Sequence, residues 1–400
     1  MSRFSRRNFL QFAATALGSI GVNHLLLQQQ AHRYGKVLAQ TTSRKVALLV
    51  GINQYSSQPL SGCLNDVELQ RQLLIHRFGF NPQDIYVLAD DKASREGILG
   101  AFEEYLIKQT KPGDVVVYHY SGHGSRIFDP NPIIREAANE NEQLNGTFVP
   151  SDSTLPPGYP DAEGAVNDIM GHTLYLLMSA LPTENVTVVL DSCFSGGATR
   201  DAQVRARAGG KNVLVSPLEK AYQEQWLSRL QMSPEEFVRG YRTGVAKGVV
   251  LAATNPRQLA REVNVNGFRA GIFSYLLTNY LWQQDSTVAE AIAKIVPEIP
   301  RRLKQTPGYE VKPGTNYQTQ PAYFLNPETA TADAVITEVS GNNVSLWLGG
   351  ANLDEVGSET IFTQINGSGK VVVRSRDGIL GQGYAEGVVS PGMLLRQASN

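Results

Sequence analysis

Short runs of apolar residues alternate with longer amphipathic stretches over most of the chain. The apolar runs predict strands at residues 46–51, 85–89, 114–120, 186–190 and 249–253. The stretches between them predict helices at residues 67–78, 95–108, 174–180, 272–281 and 288–303. Because the strands are apolar on both faces and are separated by helices, we predict an α/β fold with a mostly parallel sheet that helices cover on both sides.

The pattern changes after residue 326. Residues 333–400 are rich in glycine and contain short runs in which apolar and polar residues alternate, such as 344–348 and 370–374. This alternation predicts a separate, small all-β domain of the barrel or sandwich type. The segment contains no histidine and no cysteine, so we expect the chemistry to lie in residues 44–326. A structural appendage is the expected role of the β domain, with docking or autoregulation as the alternative.

The N-terminal 39 residues differ from the rest in charge. They carry five basic and no acidic side chains, with Arg6 and Arg7 ahead of an apolar stretch at residues 12–22. That stretch is about half as long as a bilayer-spanning helix, so we expect no stable transmembrane span. Residues 1–39 resemble a bacterial twin-arginine signal, which implies export of the folded protein to a periplasm, a lumen or the exterior. An uncleaved amphipathic anchor or a poorly ordered tail is the alternative.

The overall composition limits the classes of function. The 400 residues are 42% hydrophobic and 18% charged, which excludes disorder, collagen and coiled coil as descriptions of the whole chain. With 36 basic and 37 acidic residues the chain has no basic field, so we expect no nucleic-acid partner. Cys63 and Cys193 are too few for a disulfide framework or a cysteine-rich zinc site. We expect the chain to be a monomer.

Candidate chemistry follows two of the predicted strands. In open α/β sheets, ligands bind beyond the carboxyl ends of the strands. The third predicted strand leads to His123 between two glycines, and the fourth leads to Cys193. If these strands are neighbours, the imidazole can remove the thiol proton and later protonate a leaving amine. Each residue alone is more often structural, as a core thiol or a turn histidine, and only the joint placement favours catalysis.

Three motifs around these residues resemble those of the metacaspases and the bacterial caspase-like peptidases. They are YSGHG at 120–124, LDSCFSG at 190–196 and LSGCLND at 60–66. The similarity in order and spacing covers residues 45–324, and residues 258–273 resemble the small-subunit segment of that family. The resemblance implies a caspase-like fold and a cysteine endopeptidase in which Cys193 is the nucleophile and His123 the general acid/base. It also implies an oxyanion hole formed by the backbone N–H groups of Gly124 and Cys193.

Acidic residues near these motifs predict the substrate specificity. By the resemblance, Asp66, Ser121 and Asp191 shape the pocket for the side chain that precedes the cleaved bond. Two carboxylates in a partly dry pocket need a cation, so we expect peptide or protein substrates that are cleaved after Arg or Lys. The alternatives are a helix N-cap for Asp66 and a turn cap for Asp191. Cys63 is expected beside the pocket wall as a structural thiol.

A glycine-rich, basic segment follows the nucleophile. We expect residues 196–247 to form an inter-subunit-like loop and a helical insertion, and residues 196–211 to be mobile and exposed. A peptidase that cuts after basic residues is expected to cut itself here. The candidate positions for this self-cleavage are Arg200, Arg205, Arg207 and Lys211. A solvated basic loop that is not cleaved is the alternative.

The resemblance is weakest for calcium. Many metacaspases bind this ion through clustered aspartates, and the corresponding positions here are Asn145, Asn167 and Asp168. Amides thus replace two of the carboxylates, which weakens a site for a hard cation. The sequence leaves both the metal ligands and the calcium dependence open.

Other functions are less well supported by the residues. A catalytically silent caspase-like interaction module is the main alternative, and the presence of both Cys193 and His123 argues against it. A nucleotide-binding protein is disfavoured because there is no GxxxxGK[ST] run and no GxGxxG after the first strand. A hydrolase that uses Ser192 or Ser195 is disfavoured because the Gly-x-Ser-x-Gly motif is absent.

Overall fold

The computed structural model describes residues 43–130, 144–193, 204–255, 257–327 and 329–398. Residues from Arg44 onward belong to one compact unit. The predicted export signal, residues 1–39, and Arg200 lie outside the described ranges. Within these ranges, no helix combines the length and the hydropathy that a membrane crossing requires.

The larger part of the chain contains a sheet built from the predicted strands. In chain order, the strands of this part are β1 (Lys45–Gly51), β2 (Ile85–Ala89), β3 (Val115–Ser121), β4 (Gly124–Phe128), β5 (Leu144–Phe148), β6 (Gly164–Val166), β7 (Ile169–Met170), β8 (Val186–Asp191), β9 (Gly210–Val215), β10 (Val249–Ala252), β11 (Glu262–Val265), β12 (Phe268–Gly271) and β13 (Gly308–Val311). The main sheet has the order β13-β10-β8-β3-β1-β2. Its neighbours pair in parallel, except that β13 is antiparallel to β10. The predicted mostly parallel sheet is therefore confirmed, and it has a sixth strand, β13, that the sequence pattern did not predict.

Helices cover both faces of this sheet. They are α1 (Cys63–His76), α2 (Arg95–Ala101), α3 (Gly171–Ala180), α4 (Pro217–Arg229), α5 (Pro234–Thr243), α6 (Ile272–Gln283) and α7 (Val288–Ile295). Helix α2 continues as a π-helix over Phe102–Ile107. Helix α7 ends earlier than predicted because Pro297 lacks a backbone donor and restricts the residue before it.

The central strands bury alternate residues in two separate cores. Strands β3 and β8 are buried along their whole length. Leu49 and Val117 enter the core on the α1 side, whereas Leu48 and Val116 enter the core on the opposite side, with Phe102. Successive side chains of a strand point to opposite faces, so an uninterrupted apolar run is what a sheet covered on both sides requires.

A second sheet, which the sequence pattern did not predict, lies next to the main one. Its order is β6-β9-β4-β5-β7, and strand β9 runs parallel to both β4 and β6. Residues 196–211 are predicted to be exposed, and this is wrong for residues 204–207, whereas Lys211 is exposed as predicted. Val204, Arg205, Ala206 and Arg207 are all buried.

The C-terminal strands close into a barrel, which confirms the predicted small all-β domain. They are β14 (Ala334–Ser340), β15 (Asn343–Trp347), β16 (Ile361–Gln364), β17 (Lys370–Asp377), β18 (Leu380–Glu386) and β19 (Leu394–Gln397), in the order β14-β15-β18-β17-β16-β19. The barrel is not separate from the larger part, because both contribute to one apolar core. Trp347 packs edge-on against Phe268 with 6.4 Å between the ring centroids, and Asn279 of α6 donates to the Gly349 carbonyl at 3.0 Å.

Candidate functional site

The predicted histidine and cysteine lie at one edge of the main sheet. Strands β3 and β8 are direct neighbours, and Ser121 at the end of β3 pairs with Asp191 at the end of β8. His123 and Cys193 each follow two residues later, and both are buried. The main chains are in close contact here, since a Cβ on Gly124 would lie 2.2 Å from the Cys193 carbonyl oxygen. Residue 124 therefore has to be a glycine.

Two tyrosines hold the main chain of His123. Its N–H donates to Tyr55 Oη at 2.9 Å, and its carbonyl oxygen accepts from Tyr120 Oη at 2.8 Å. Tyr55 Oη also donates to the Val149 carbonyl oxygen at 3.1 Å, and Tyr120 Oη lies 2.9 Å from the same oxygen, so its single proton is shared between two carbonyls. The Tyr55 ring lies against the imidazole with 4.4 Å between the ring centroids. The position of His123 is thus fixed by buried hydrogen bonds as well as by the strand before it.

The ring contacts of His123 define which nitrogen can act as a base. Nε2 lies 2.7 Å from the Gln58 carbonyl oxygen. A carbonyl only accepts, so Nε2 carries the proton and Nδ1 keeps its lone pair. Nδ1 is buried and has no hydrogen-bond partner among the described residues. Burial lowers the pKa of His123 to about 4, so the ring is neutral near pH 7 and can accept a proton.

The predicted acidic pocket is filled by Arg205. The guanidinium Nη2 lies 2.6 Å from Asp66 Oδ2, and Nη1 lies 2.9 Å from Asp191 Oδ1. Nη1 also donates to Ser121 Oγ at 2.9 Å. A third carboxylate faces the same group, since Glu262 Oε1 is 3.3 Å from Nη2. The side chains of Arg205, Asp66 and Asp191 are fully buried, so this cluster of charges is shielded from water.

The carboxylates of the pocket are held by further donors. Asp66 accepts from the Gly271 N–H at 2.9 Å and from Ser121 Oγ at 2.7 Å. Asp191 Oδ2 accepts from the N–H and the hydroxyl of Ser274 at 3.0 and 2.7 Å, which caps the start of α6. Burial raises the pKa of Asp66 to about 7, and the charge of Arg205 acts in the opposite direction. Burial and the cation therefore have opposite effects on the ionisation of Asp66.

The N-cap alternative for Asp66 is wrong. The residue before helix α1 is Gly62, which has no side chain to cap the helix, and the N–H of Cys63 donates to Asn53 Oδ1 at 2.9 Å. Asp66 lies in the first turn, where its carboxylate points to Ser121 and Arg205. Because the apolar face of α1 packs on the sheet, the first turn brings this carboxylate to the carboxyl edge of the strands.

The backbone of Arg205 lies across the two predicted oxyanion donors. Its carbonyl oxygen accepts from the N–H of Gly124 at 3.0 Å and from the N–H of Cys193 at 3.3 Å. Its own N–H donates to the Ala260 carbonyl oxygen at 3.0 Å, and Ala206 pairs with Gly124 in a parallel bridge. The carbonyl of the Arg205–Ala206 peptide bond is thus the group that these two N–H groups bind.

Sequence reasoning missed Glu262. Its carboxylate accepts from the N–H of Gly62 at 2.8 Å and from that of Ser61 at 3.1 Å, and it faces Arg205. Cys63 lies beside it, with Sγ 3.8 Å from Glu262 Oε1, and burial raises the pKa of this thiol. The available signal was that Glu262 is an acidic residue within the segment 258–273, which resembles the small subunit of the family.

The other basic candidates do not place their side chains in the Asp66 pocket in the described part of the chain. Arg207 pairs with Asp168, with Nη2 2.7 Å from Oδ2. Lys211 is exposed at the start of β9. Arg200 lies outside the described residues.

The residues that correspond to a calcium site do not fit this ion in the observed arrangement. Asp168 Oδ1 accepts from Ser153 Oγ at 2.6 Å, and Oδ2 accepts from Thr147 Oγ1 at 2.5 Å and from Arg207. Asn167 is exposed. Within the described ranges, no three or more His, Cys, Asp and Glu side chains are grouped to hold a metal. The Arg207 guanidinium already neutralises Asp168, which is the one carboxylate among the three corresponding positions.

The strand order and the residues at its edge agree with the expected arrangement. The sheet is mostly parallel, and His123 and Cys193 lie beyond the ends of the neighbouring strands β3 and β8. Residues 45–201 match the family described as "Metacaspase, peptidase C14 domain". Over these residues the chain is therefore similar to metacaspase peptidase domains.

Several curated metacaspases are similar to this chain. Metacaspase-1 of Meyerozyma guilliermondii is 34% identical over 168 residues, which cover 40% of this chain and 37% of that protein. Metacaspase-1 of Schizosaccharomyces pombe is 26% identical over 273 residues, or 60% of each chain. Metacaspase-7 of Arabidopsis thaliana is 36% identical over 166 residues, which cover 40% and 36%. The chain thus spans between about a third and three fifths of the length of these relatives.

Solved structures with a related arrangement are more distant. A protein from Geobacter sulfurreducens is 18% identical with a TM-score of 0.47, and the match covers 72% of this chain and 99% of that one. The Drosophila initiator caspase Dronc is 11% identical with a TM-score of 0.37, and the match covers 72% and 84%. The fold assignment rests instead on the strand order and the family match.

Proposed function

We propose that this chain is a cysteine endopeptidase that hydrolyses peptide bonds after Arg or Lys and cleaves its own Arg205–Ala206 bond. One observation carries the proposal. The Arg205 guanidinium lies among three buried carboxylates, while its carbonyl oxygen accepts the N–H groups of Gly124 and Cys193. An arginine and the peptide bond after it thus occupy a candidate pocket and a candidate oxyanion hole together.

The reaction needs only groups that are present at this edge of the sheet. The Cys193 sulfur attacks the Arg205 carbonyl carbon as His123 Nδ1 takes the thiol proton. The carbonyl oxygen gains negative charge, which the two N–H groups stabilise, and each such donor is worth about 2.7–4 kcal/mol in comparable sites. The bond to the Ala206 nitrogen then breaks, and His123 returns the proton to this amine. Water hydrolyses the thioester and regenerates the thiol.

The shape of the pocket favours arginine over lysine. The two terminal nitrogens of the guanidinium reach different acids, Nη1 to Asp191 and Nη2 to Asp66 and Glu262. An ammonium group offers one nitrogen to the same acids, so it satisfies fewer of them. An aspartate in this position would add a fourth negative charge, which is unfavourable in a buried site.

Self-cleavage is tested by comparing the purified wild-type chain with Cys193→Ala on a denaturing gel. We expect two fragments from the wild type, with the C-terminal one starting at Ala206 by N-terminal sequencing, and a single intact band from the variant. Lys211→Ala, which changes an exposed basic residue of the same segment, should be cleaved like the wild type. Identical single bands from the wild type and Cys193→Ala would contradict self-cleavage.

Activity on other substrates is tested with fluorogenic peptides that carry Arg, Lys or Asp before the cleaved bond, with and without calcium. We expect hydrolysis of the Arg and Lys peptides only. Activity on the Asp peptide alone would overturn the assigned pocket but not the Cys193–His123 pair. No hydrolysis, together with no labelling of Cys193 by a basic-residue chloromethyl ketone, would support the silent interaction module.

A further inference from the structure

A second buried acid binds the side chain of Arg207. Nη2 of Arg207 lies 2.7 Å from Asp168 Oδ2, and Nη1 donates to Ser153 Oγ at 3.1 Å. The Arg207 side chain is only 4% exposed and that of Asp168 is fully buried. Thr147 Oγ1 and Ser153 Oγ donate to the same carboxylate at 2.5 and 2.6 Å. A buried charge needs both an oppositely charged partner and hydrogen-bond donors, and these residues supply both. They therefore form a binding site for a cationic side chain.

The backbone sets the distance between this site and the proposed cleaved bond. Gly124 donates its N–H to the Arg205 carbonyl at 3.0 Å and accepts the Arg207 N–H at 2.9 Å. Residues two apart in an extended segment point to the same face, so both arginine side chains turn towards the protein. Arg205 therefore meets the Asp66 pocket while Arg207 meets Asp168.

This second contact distinguishes between two registers of the segment. A shift by two residues would bring Arg207 into the Asp66 pocket, where a cation also fits. Gly209 would then face Asp168, and a glycine has no side chain to pair with a buried carboxylate. Only the observed register supplies a cation to both acids.

We infer that Asp168, Ser153 and Thr147 form a subsite for a basic side chain two residues after the cleaved bond, and that this subsite fixes the register of self-cleavage. The inference rests on the proposed function and deepens it. The preferred sequence becomes Arg-Xaa-Arg, cut after the first arginine. Asp168 acts here as a positioning residue that binds a guanidinium, although its position corresponds to a calcium ligand in many metacaspases.

The register is tested by self-cleavage and N-terminal sequencing. Arg207→Ala should slow cleavage at Arg205–Ala206 by roughly tenfold to a hundredfold, the value of a charged hydrogen bond, and Arg207→Lys should recover part of the rate. Asp168→Asn should slow the same cleavage and also yield fragments that start at Ala208, cut after Arg207. Lys211→Ala is the matched control and should not change rate or site. Unchanged rates and a single start at Ala206 in all variants would overturn the inference.

A second test measures whether peptide substrates bind to the subsite. Fully cleaved Arg207→Ala enzyme leaves Asp168 free for a substrate. It should hydrolyse Val-Arg-Ala-Arg-Ala with at least tenfold higher kcat/KM than Val-Arg-Ala-Ala-Ala, and adding Asp168→Asn should remove the difference. A reporter with the fluorophore directly after arginine should still be hydrolysed by both enzymes, which shows that they are folded.

The outcomes separate the inference from the proposed function. Equal hydrolysis of the two peptides by Arg207→Ala, with the reporter still cleaved, would overturn the subsite and leave the peptidase standing. Failure of the wild-type enzyme to hydrolyse the reporter would overturn both. If Asp168→Asn does not fold, the comparison of Arg207→Ala with Arg207→Lys decides alone.

Discussion

Replacing Arg205 with alanine should destabilise the uncut chain by an amount that depends on pH. The guanidinium is the cation for three buried carboxylates, those of Asp66, Asp191 and Glu262. Breaking a buried ion pair by removing one partner costs about 3–5 kcal/mol, because an unpaired charge is left in a dry site. We expect this loss to be fully expressed only where the carboxylates stay ionised.

Protonation of Asp66 limits the loss at lower pH. Burial raises the pKa of Asp66 from 3.8 to about 7 although Arg205 lowers it, so without Arg205 this pKa lies higher still. Asp66 has a higher pKa in the folded chain than in the unfolded chain, so its protonated form stabilises the fold. This contribution is complete below the unfolded-state pKa and is lost as the pH rises through the folded-state pKa. Above about pH 7, ionisation of Asp66 no longer lowers the free energy of unfolding of the parent chain. In the variant this free energy continues to fall by about 1.4 kcal/mol per pH unit. The difference between the two should therefore grow above pH 7.

The assay is urea unfolding at pH 6, 7, 8 and 9 in the Cys193→Ala background, which keeps the chain uncut. Arg205→Lys retains a cation and should recover most of the stability. Lys211→Ala, in the same segment but exposed, should change the free energy of unfolding by no more than about 0.5 kcal/mol. If Arg205→Ala unfolds at the parent's urea concentration at every pH, Arg205 is not the cation of this pocket and the reasoning is refuted.

Two further predictions concern activity on arginine peptides. The kcat/KM should fall as the pH drops through the pKa of Asp66 in the emptied pocket, at or above about 7, because protonation removes a charge that faces the substrate. His123, with a pKa of about 4, stays a base throughout, so an acidic limb only near pH 4 would contradict this. Glu262→Gln should lower kcat/KM roughly tenfold for an arginine peptide and less for a lysine peptide, because Nη2 contacts this acid. Equal losses of kcat/KM for the two peptides would show that Glu262 does not interact with the second terminal nitrogen of the substrate guanidinium.

The sequence pattern was sufficient for the five parallel strands of the main sheet and for the two residues at its edge, but not for the antiparallel strand β13. The predicted strands at 114–120 and 186–190 lie within one residue of β3 and β8, because uninterrupted apolar runs of this length form buried parallel strands. Parallel strands end at a common edge, so adjacent strands bring His123 and Cys193 to one place once they pair. The resemblance of the motifs then supplied the roles.

Only the tertiary structure decided what fills the acidic pocket. Residues 196–211 are predicted to be exposed because glycine and arginine are typical of solvated loops, yet Arg205 and Arg207 are buried. Local periodicity specifies which residues form strands and which faces are apolar, but it does not specify which cation will neutralise a buried carboxylate. That pairing depends on contacts far apart in the sequence, such as Glu262 with Gly62, 200 residues away. The sequence by itself thus determined the sheet and the residues at its edge, and the folded chain decided which peptide bond lies there.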